Sequence, residues 1–324
     1  MAQSALAEAT LTVASEIALE SAGVKEVQSN SLPFAVLGLG RLGHTGMDFG
    51  SDLDLLIVFD DEQPWPPSSL AHLSSTGPES NAYAGQEFYA NLTSQIIRVL
   101  SSITREGLLY RIDLRLRPEG KSGPIAVGLS GLVAYLENRA SAWEHSAYLK
   151  AREVAGDPDF GKRVRQLICD ISLETSSQNR SLREELREMR ERQVKEKTRG
   201  EGFNIKLGRG GMSDVYFITR YLQLRDRIYF PADRGTTALI SHLGEQGALD
   251  KESTDSLFRG YKFLRGLDHW MRLLMDHPSP VIPASTVALQ DISRSMGIES
   301  LEEFDRQLAH HTGSIRAVHD LVFG

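Results

Sequence analysis

Apolar residues recur along this chain at two different spacings, and the change from one to the other divides it. Leu6, Leu11, Val13, Ile17 and Leu19 follow a helical rhythm and predict a helix over residues 4–22, with a turn-rich link after it as far as Pro33. Phe34–Leu37 is a short apolar run, and Leu53–Phe59 is a longer, nearly unbroken one; both predict buried strands. Residues 60–83 are rich in Pro, Ser, Gly and acid and predict a long loop. Gln86–Glu106 predicts an amphipathic helix with Phe88, Leu92, Ile96, Val99 and Ile103 on one face. Leu108–Leu116 alternates polar and apolar residues and predicts a third strand, ended by Pro118. Leu129–Arg139 and Trp143–Arg152 read as helices.

After Gly156 the strand period disappears. From Asp159 the pattern is helical almost throughout. The segment Ser181–Lys197 carries charges of both signs at helical spacing and predicts an exposed helix. Gly208–Gly211 interrupts the pattern, and Met212–Arg225, Thr236–Gln246, Ser253–Met275, Ser285–Ser295 and Leu301–Val322 complete a helical array. The expected organisation is an α+β domain over 1–156, including the helix at 4–22, followed by an all-helical domain over 157–324.

The candidate chemistry lies at the strands. Asp52 and Asp54 open the second strand two residues apart, so they share a face. Two neighbouring carboxylates repel unless a cation lies between them. Mg²⁺, held by one or two carboxylates and substrate phosphates, fits that role and points to a nucleoside triphosphate. On a regular third strand Asp113 would join Arg111, Arg115 and Arg117 on the polar face. Beside the Asp52 strand, Asp113 would then complete a trio of metal ligands suited to in-line nucleotidyl transfer and could assist deprotonation of the attacking hydroxyl. Arg115 and Arg117 are candidates to neutralise phosphate charge. Gly38, Gly40 and Gly43 would let backbone N–H groups approach a phosphate, and Ser51 could donate to a phosphate oxygen. A strand, with no helix opened by the third glycine, follows this turn, which argues against a dinucleotide-binding unit.

Composition narrows the field. Net charge is -7, which disfavours a nucleic-acid partner. The single cysteine, Cys169, excludes an internal disulfide and reads as a packing residue. No apolar run reaches the ~20 residues of a membrane span, and the amino terminus lacks a secretory pattern. The expectation is a cytoplasmic protein with no membrane partner. Trp143, His269 and Trp270 read as packing residues, His145 as a hydrogen-bonding one, and His310 and His311 lack metal-ligand spacing.

Four blocks, GLGRLGHTGMDFGSDLDLLIVFDD (38–61), YRIDLRLRPEGKSGP (110–124), WEHSAYLKAREVAGD (143–157) and KLGRGGMSDVYFITRYLQLR (206–225), together resemble the glutamine synthetase adenylyltransferase family. The resemblance implies a DNA polymerase β-like nucleotidyltransferase domain followed by a helical bundle, one of the two catalytic halves found in that family. It implies transfer of AMP from ATP, with Mg²⁺, to a tyrosine of glutamine synthetase. The other half of such enzymes removes AMP by phosphorolysis, and the PII signalling protein is a regulatory partner. Position by position, Asp52, Asp54 and Asp113 match the family's metal-binding aspartates and Gly43 the first glycine of a glycine pair. Gly208, Gly210, Gly211 and Asp214 match a second glycine turn and its acid. The chain departs from the pattern at Arg41 (lysine expected), His44 (glycine), Gly46 (acid) and Tyr216 (glutamate). The last three departures leave a decayed nucleotide-sensing module as an alternative to an active transferase.

Overall fold

The computed structural model describes residues 2–24, 32–48, 50–63, 81–105, 107–197, 202–275 and 279–324. Most of the loop expected over 60–83 lies outside the described residues. The chain divides into two compact units, Met1–Ser172 and Leu173–Gly324.

The first unit is built around a mixed sheet. Strand β1 (Phe34–Gly38) runs antiparallel to β2 (Leu53–Phe59), with Phe34 opposite Phe59 and Gly38 opposite Leu55. The run at 53–59 is almost wholly apolar because both faces of β2 are covered. Phe34 and Val36, with Leu53, Leu55, Ile57 and Phe59, pack against helix α1 (Ala2–Ser21) through Ala7, Leu11, Ala14 and Ala18. Helix α3 (Asn81–Ser101) joins that layer through Tyr89, Leu92, Ile96 and Leu100. The alternate residues Ala35, Leu37, Leu56 and Val58 face a second layer. Helix α4 (Leu129–Asn138) contributes Leu132 and Leu136 to it, and α6 (Pro158–Gln178) contributes Phe160, Val164 and Ile168. The boundary between the units therefore falls inside α6, beyond Gly156, because its first half belongs to this core.

Three expectations are corrected. The buried stripe of α3 is Tyr89-Leu92-Ile96-Leu100, and Ile103 is 87% exposed. It lies in a two-residue strand, β3 (Ile103–Thr104), paired with β4 (Gly107–Leu108) in a small hairpin. The third strand is reduced to β5 (Ile112–Asp113). Its continuation is lost because the Asp113 side chain accepts the Arg115 backbone N–H (2.8 Å) and the Arg117 N–H reaches the Leu114 carbonyl (3.1 Å), which turns the chain. Arg115 and Arg117 therefore do not share a strand face with Asp113. The chain returns to β2 only at β6 (Val127–Gly128), so β5 and β6 divide one edge between them. Finally, the helix expected over 143–152 is the short α5 (Ala142–Tyr148), started by a Ser141–Glu144 capping box. It gives way to β7 (Arg152–Gly156), which pairs antiparallel with β1 and closes the other edge.

The second unit is helical, as expected. Helix α8 (Met212–Asp226) is buried almost all round, so it shows little amphipathic pattern. Helices α7 (Leu182–Lys197), α9 (Thr236–Glu245), α10 (Lys251–Leu274), α11 (Thr286–Ser295) and α12 (Leu301–Phe323) complete it. Asp250, Ser285 and Ser300 cap α10, α11 and α12 by accepting backbone N–H groups of their first turns.

Candidate active site

The site begins with the parallel pairing of β2 and β5. Leu53 lies opposite Ile112 and Asp54 opposite Asp113, so two acidic residues are direct neighbours across the sheet edge. Asp52 is exposed just before β2, and with Asp113 it lines an open cleft of about 410 Å³ whose other walls include Arg111, Arg115, Arg117 and Lys121. The donor set, carboxylate oxygens only, suits a hard divalent cation. Among the described residues no three His, Cys, Asp or Glu side chains already converge as a metal cage.

The turn between β1 and β2 is shaped by Asp54. The Leu39 N–H donates to the Asp54 carbonyl (2.8 Å). Gly40 has φ +49°, and a Cβ there would lie 1.9 Å from Asp54 Oδ2. Glycine is required at 40 for both reasons, the left-handed backbone and the carboxylate against it. Gly40–Gly43 forms the one-turn helix α2. Gly43 is buried where a Cβ would meet the Lys150 and Gly38 carbonyls, and its N–H donates to the Leu39 carbonyl (2.7 Å). Gly43 thus shapes the turn by close packing, and its N–H is already engaged. The Ser51 hydroxyl accepts the Asp48 N–H (3.1 Å), which leaves its own hydrogen as a donor. Asp48 in turn pairs with Arg41 (2.9 Å).

The two arginines after β5 behave differently. Arg117 donates Nε to the Gly123 carbonyl and its terminal nitrogens to the Leu114 and Lys121 carbonyls, each at 3.0 Å. It pins the loop that separates β5 from β6. Arg115 places Nε 3.0 and 2.9 Å from the two Asp113 carboxylate oxygens. This guanidinium is the main cause holding the Asp113 carboxyl below the usual carboxylate range. While so held, Asp113 is a poor proton acceptor.

The remaining acids of the first and third blocks are structural. Asp60 is buried and accepts from Arg163 (2.6 Å). Asp61 accepts the Ser130 N–H (3.0 Å) at the start of α4. Glu144 caps α5 and accepts the Tyr135 hydroxyl. His145 is buried with Nδ1 3.2 Å from Ser172 Oγ, in keeping with the expected hydrogen-bonding role.

With this geometry in place, comparison with known proteins settles the family. The sequence profile of glutamate-ammonia ligase adenylyltransferase matches residues 1–167. The chain belongs to the glutamate-ammonia ligase adenylyltransferase family. Residues 180–323 match the profile of GlnD PII-uridylyltransferase. Relatives named bifunctional glutamine synthetase adenylyltransferase/adenylyl-removing enzyme include one from Xanthobacter autotrophicus, 31% identical over 290 residues, covering 89% of this chain and 28% of the relative. Those of Nitrosococcus oceani (30%; 89% and 29% covered) and Chromobacterium violaceum (34%; 74% and 25%) are similar. The chain thus spans under a third of the length of these relatives. No helix among the described residues is long and apolar enough to cross a membrane.

Positions 44, 46 and 216, where the resemblance implies departures from the family's pattern, have local physical counterparts. A Cβ on Gly46 would lie 2.3 Å from the His44 ring, so the imidazole occupies the space that a side chain at 46 would need. His44 and Gly46 are therefore matched to each other. Tyr216 lies beneath the buried Arg220 guanidinium, 5.6 Å from its ring centroid, with Phe230 at 4.6 Å from the same group.

The second glycine turn rests on a residue the sequence pattern hid. Arg190, in the charge-dense α7, is buried and donates Nε to Asp214 Oδ1 (2.5 Å) and its terminal nitrogens to the Leu207 and Gly208 carbonyls. The Gly210 N–H reaches the other Asp214 oxygen at 2.6 Å. The exposed helix expected over 181–197 is thus anchored on one side by a buried cation. Only the isolated acid at 214, needing a partner, could have signalled it.

Proposed function

We propose that this chain transfers AMP from ATP to a tyrosine hydroxyl of glutamine synthetase. The observation that carries the proposal is the Asp54–Asp113 pairing beside the Gly40 turn, in a member of the adenylyltransferase family. Asp52, Asp54 and Asp113 would hold Mg²⁺. When bound, the ion would lower the pKa of the attacking hydroxyl and offset charge on the leaving pyrophosphate. Asp54 is fixed by its strand and by the turn at Leu39 and Gly40. The Ser51 hydroxyl donates to a phosphate oxygen, and Arg115 offers the triphosphate a mobile guanidinium. Arg117 keeps the loop carrying Lys121 in place, and Gly43 keeps the turn close-packed. The acceptor oxygen bonds to the α-phosphorus, the bond to the β-phosphate oxygen breaks, and the hydroxyl proton leaves to solvent. The polymerase β-like fold and the cytoplasmic location belong to the same proposal, as does PII as a regulatory partner.

A second reading is favoured by the relatives' names, which include adenylyl removal. In that direction inorganic phosphate attacks the same phosphorus and ADP leaves. Incubation with radiolabelled ATP, Mg²⁺ and glutamine synthetase tests the first reading by label on the synthetase. Adenylylated synthetase with phosphate tests the second by ADP release. ATP binding with neither product, unchanged in Asp54→Asn, would replace both with a nucleotide-sensing module.

A further inference from the structure

Arg115 holds Asp113 in a way that a metal ligand could not tolerate. Both carboxylate oxygens receive its Nε, and Oδ1 also receives its backbone N–H at 2.8 Å. A cation approaching those oxygens meets a positive group already there. The guanidinium also feels the fields of Asp54 and Asp52, not only of its immediate partner. It therefore occupies the face of the Asp113 carboxylate that a divalent ion would approach, within the field of two further acidic residues. Its attachment is weak, since the Arg115 side chain is 69% exposed and exposed pairs contribute little. Arg117, two residues on, is tied to three backbone carbonyls and stays with the loop.

We propose that Arg115 is a removable stand-in for the divalent cation. Without nucleotide its guanidinium closes the Asp113 carboxylate. An arriving triphosphate draws the guanidinium away and opens the carboxylate, so that metal loading is coupled to nucleotide binding. The Arg115 backbone N–H stays on Oδ1 through this exchange and keeps the carboxylate aimed. The inference rests on the reading of Asp52, Asp54 and Asp113 as the metal–nucleotide site. It makes Arg115 a positioning residue with two alternative anionic partners.

The test is Mn²⁺ binding, followed by the electron paramagnetic resonance signal of the free ion, with and without α,β-methylene ATP. Wild type should bind Mn²⁺ weakly alone and about tenfold more tightly with the analogue. Arg115→Gln should bind Mn²⁺ about tenfold more tightly than wild type without nucleotide, and the analogue should then add little. Arg115→Lys, which keeps the charge but not the two-pronged grip, should fall between them and carries the test should the glutamine variant misfold. Nucleotide-free affinity in Arg115→Gln equal to or below wild type, while Asp54→Asn abolishes Mn²⁺ binding, would overturn the stand-in and leave the metal site standing. Mn²⁺ binding unaffected by both Asp54→Asn and Asp113→Asn would overturn the metal site and the stand-in together.

Discussion

Each unit contains an aspartate held by an arginine, and the two pairs differ in almost everything else. Arg115–Asp113 leaves 69% and 19% of its side chains exposed, whereas Arg190–Asp214 leaves 2% and 0%. The exposed pair stands at the edge of a cleft, at the end of a two-residue strand, and its hydrogen bonds run between its own members. The buried pair is tied to the Leu207 and Gly208 carbonyls and the Gly210 N–H, with the Arg316 guanidinium 3.9 Å from Asp214 Oδ2 as a second cation. In the desolvated pair, removal of one partner strands a charge. In the exposed pair, water can take either partner's place, so it is free to serve a ligand. Identical residue types thus mark a site in one unit and a fastening in the other.

The largest expected effect separates these roles by activity. Asp54→Asn should lower AMP transfer about 10³-fold, the scale of losing a principal electrostatic contribution to a transition state, while thermal unfolding barely shifts. The counterpart is Asp214→Ala, which should cost about 3–5 kcal/mol of stability in chemical denaturation. Arg190→Ala should match it, and the double variant should cost less than the sum. A small Asp214→Ala effect would break the distinction between the pairs.

Gly40→Ala comes next. Its Cβ would strike Asp54 Oδ2, and its backbone would occupy the left-handed region, at about 1–2 kcal/mol. Transfer should fall with it, because the displaced carboxylate is the one on the proposed metal face. Gly46→Asp should destabilise by about 1–3 kcal/mol through the His44 ring, and His44→Gly in the same chain should recover most of the loss.

The smallest effect is on pH. Burial holds the His319 and His311 imidazoles below their ordinary 6.5. The unfolded chain therefore takes up protons that the folded second unit refuses, and stability is lost as pH falls below about 6.5. Urea unfolding of the whole chain between pH 7.5 and 5 should show this decline. Arg115→Gln should leave it unchanged, since a carboxylate released from that guanidinium returns toward the ordinary carboxylate range, which still lies below this window.

What the sequence made legible follows from how local each cause is. Strands β1 and β2 were readable because both faces are buried, and helices α10, α11 and α12 because their apolar residues recur at helical spacing. The pairing of Asp54 with Asp113 was anticipated from two short motifs. Strand β7 was not, because Arg152–Gly156 acquires its conformation only by pairing with β1, more than a hundred residues earlier. The alternation at 108–116 promised a strand that the Asp113 side chain itself ends by capturing the next turn. Arg190 was hidden because a charged residue in a charge-dense helix gives no sign of its burial until Asp214 arrives from another helix. The Gly43 N–H was expected to face a phosphate, but the one-turn helix that engages it depends on the packing of its Cα against β1 and Lys150.

The most direct measurement is a crystal structure with Mn²⁺ and α,β-methylene ATP, with the ion located by anomalous scattering. The expected result is a peak about 2.1 Å from oxygens of Asp54 and Asp113, with the triphosphate beside it and Asp52 turned inward. A triphosphate bound away from these residues, or bound while Arg115 still closes Asp113 and no ion touches Asp54, would contradict the assignment of the site.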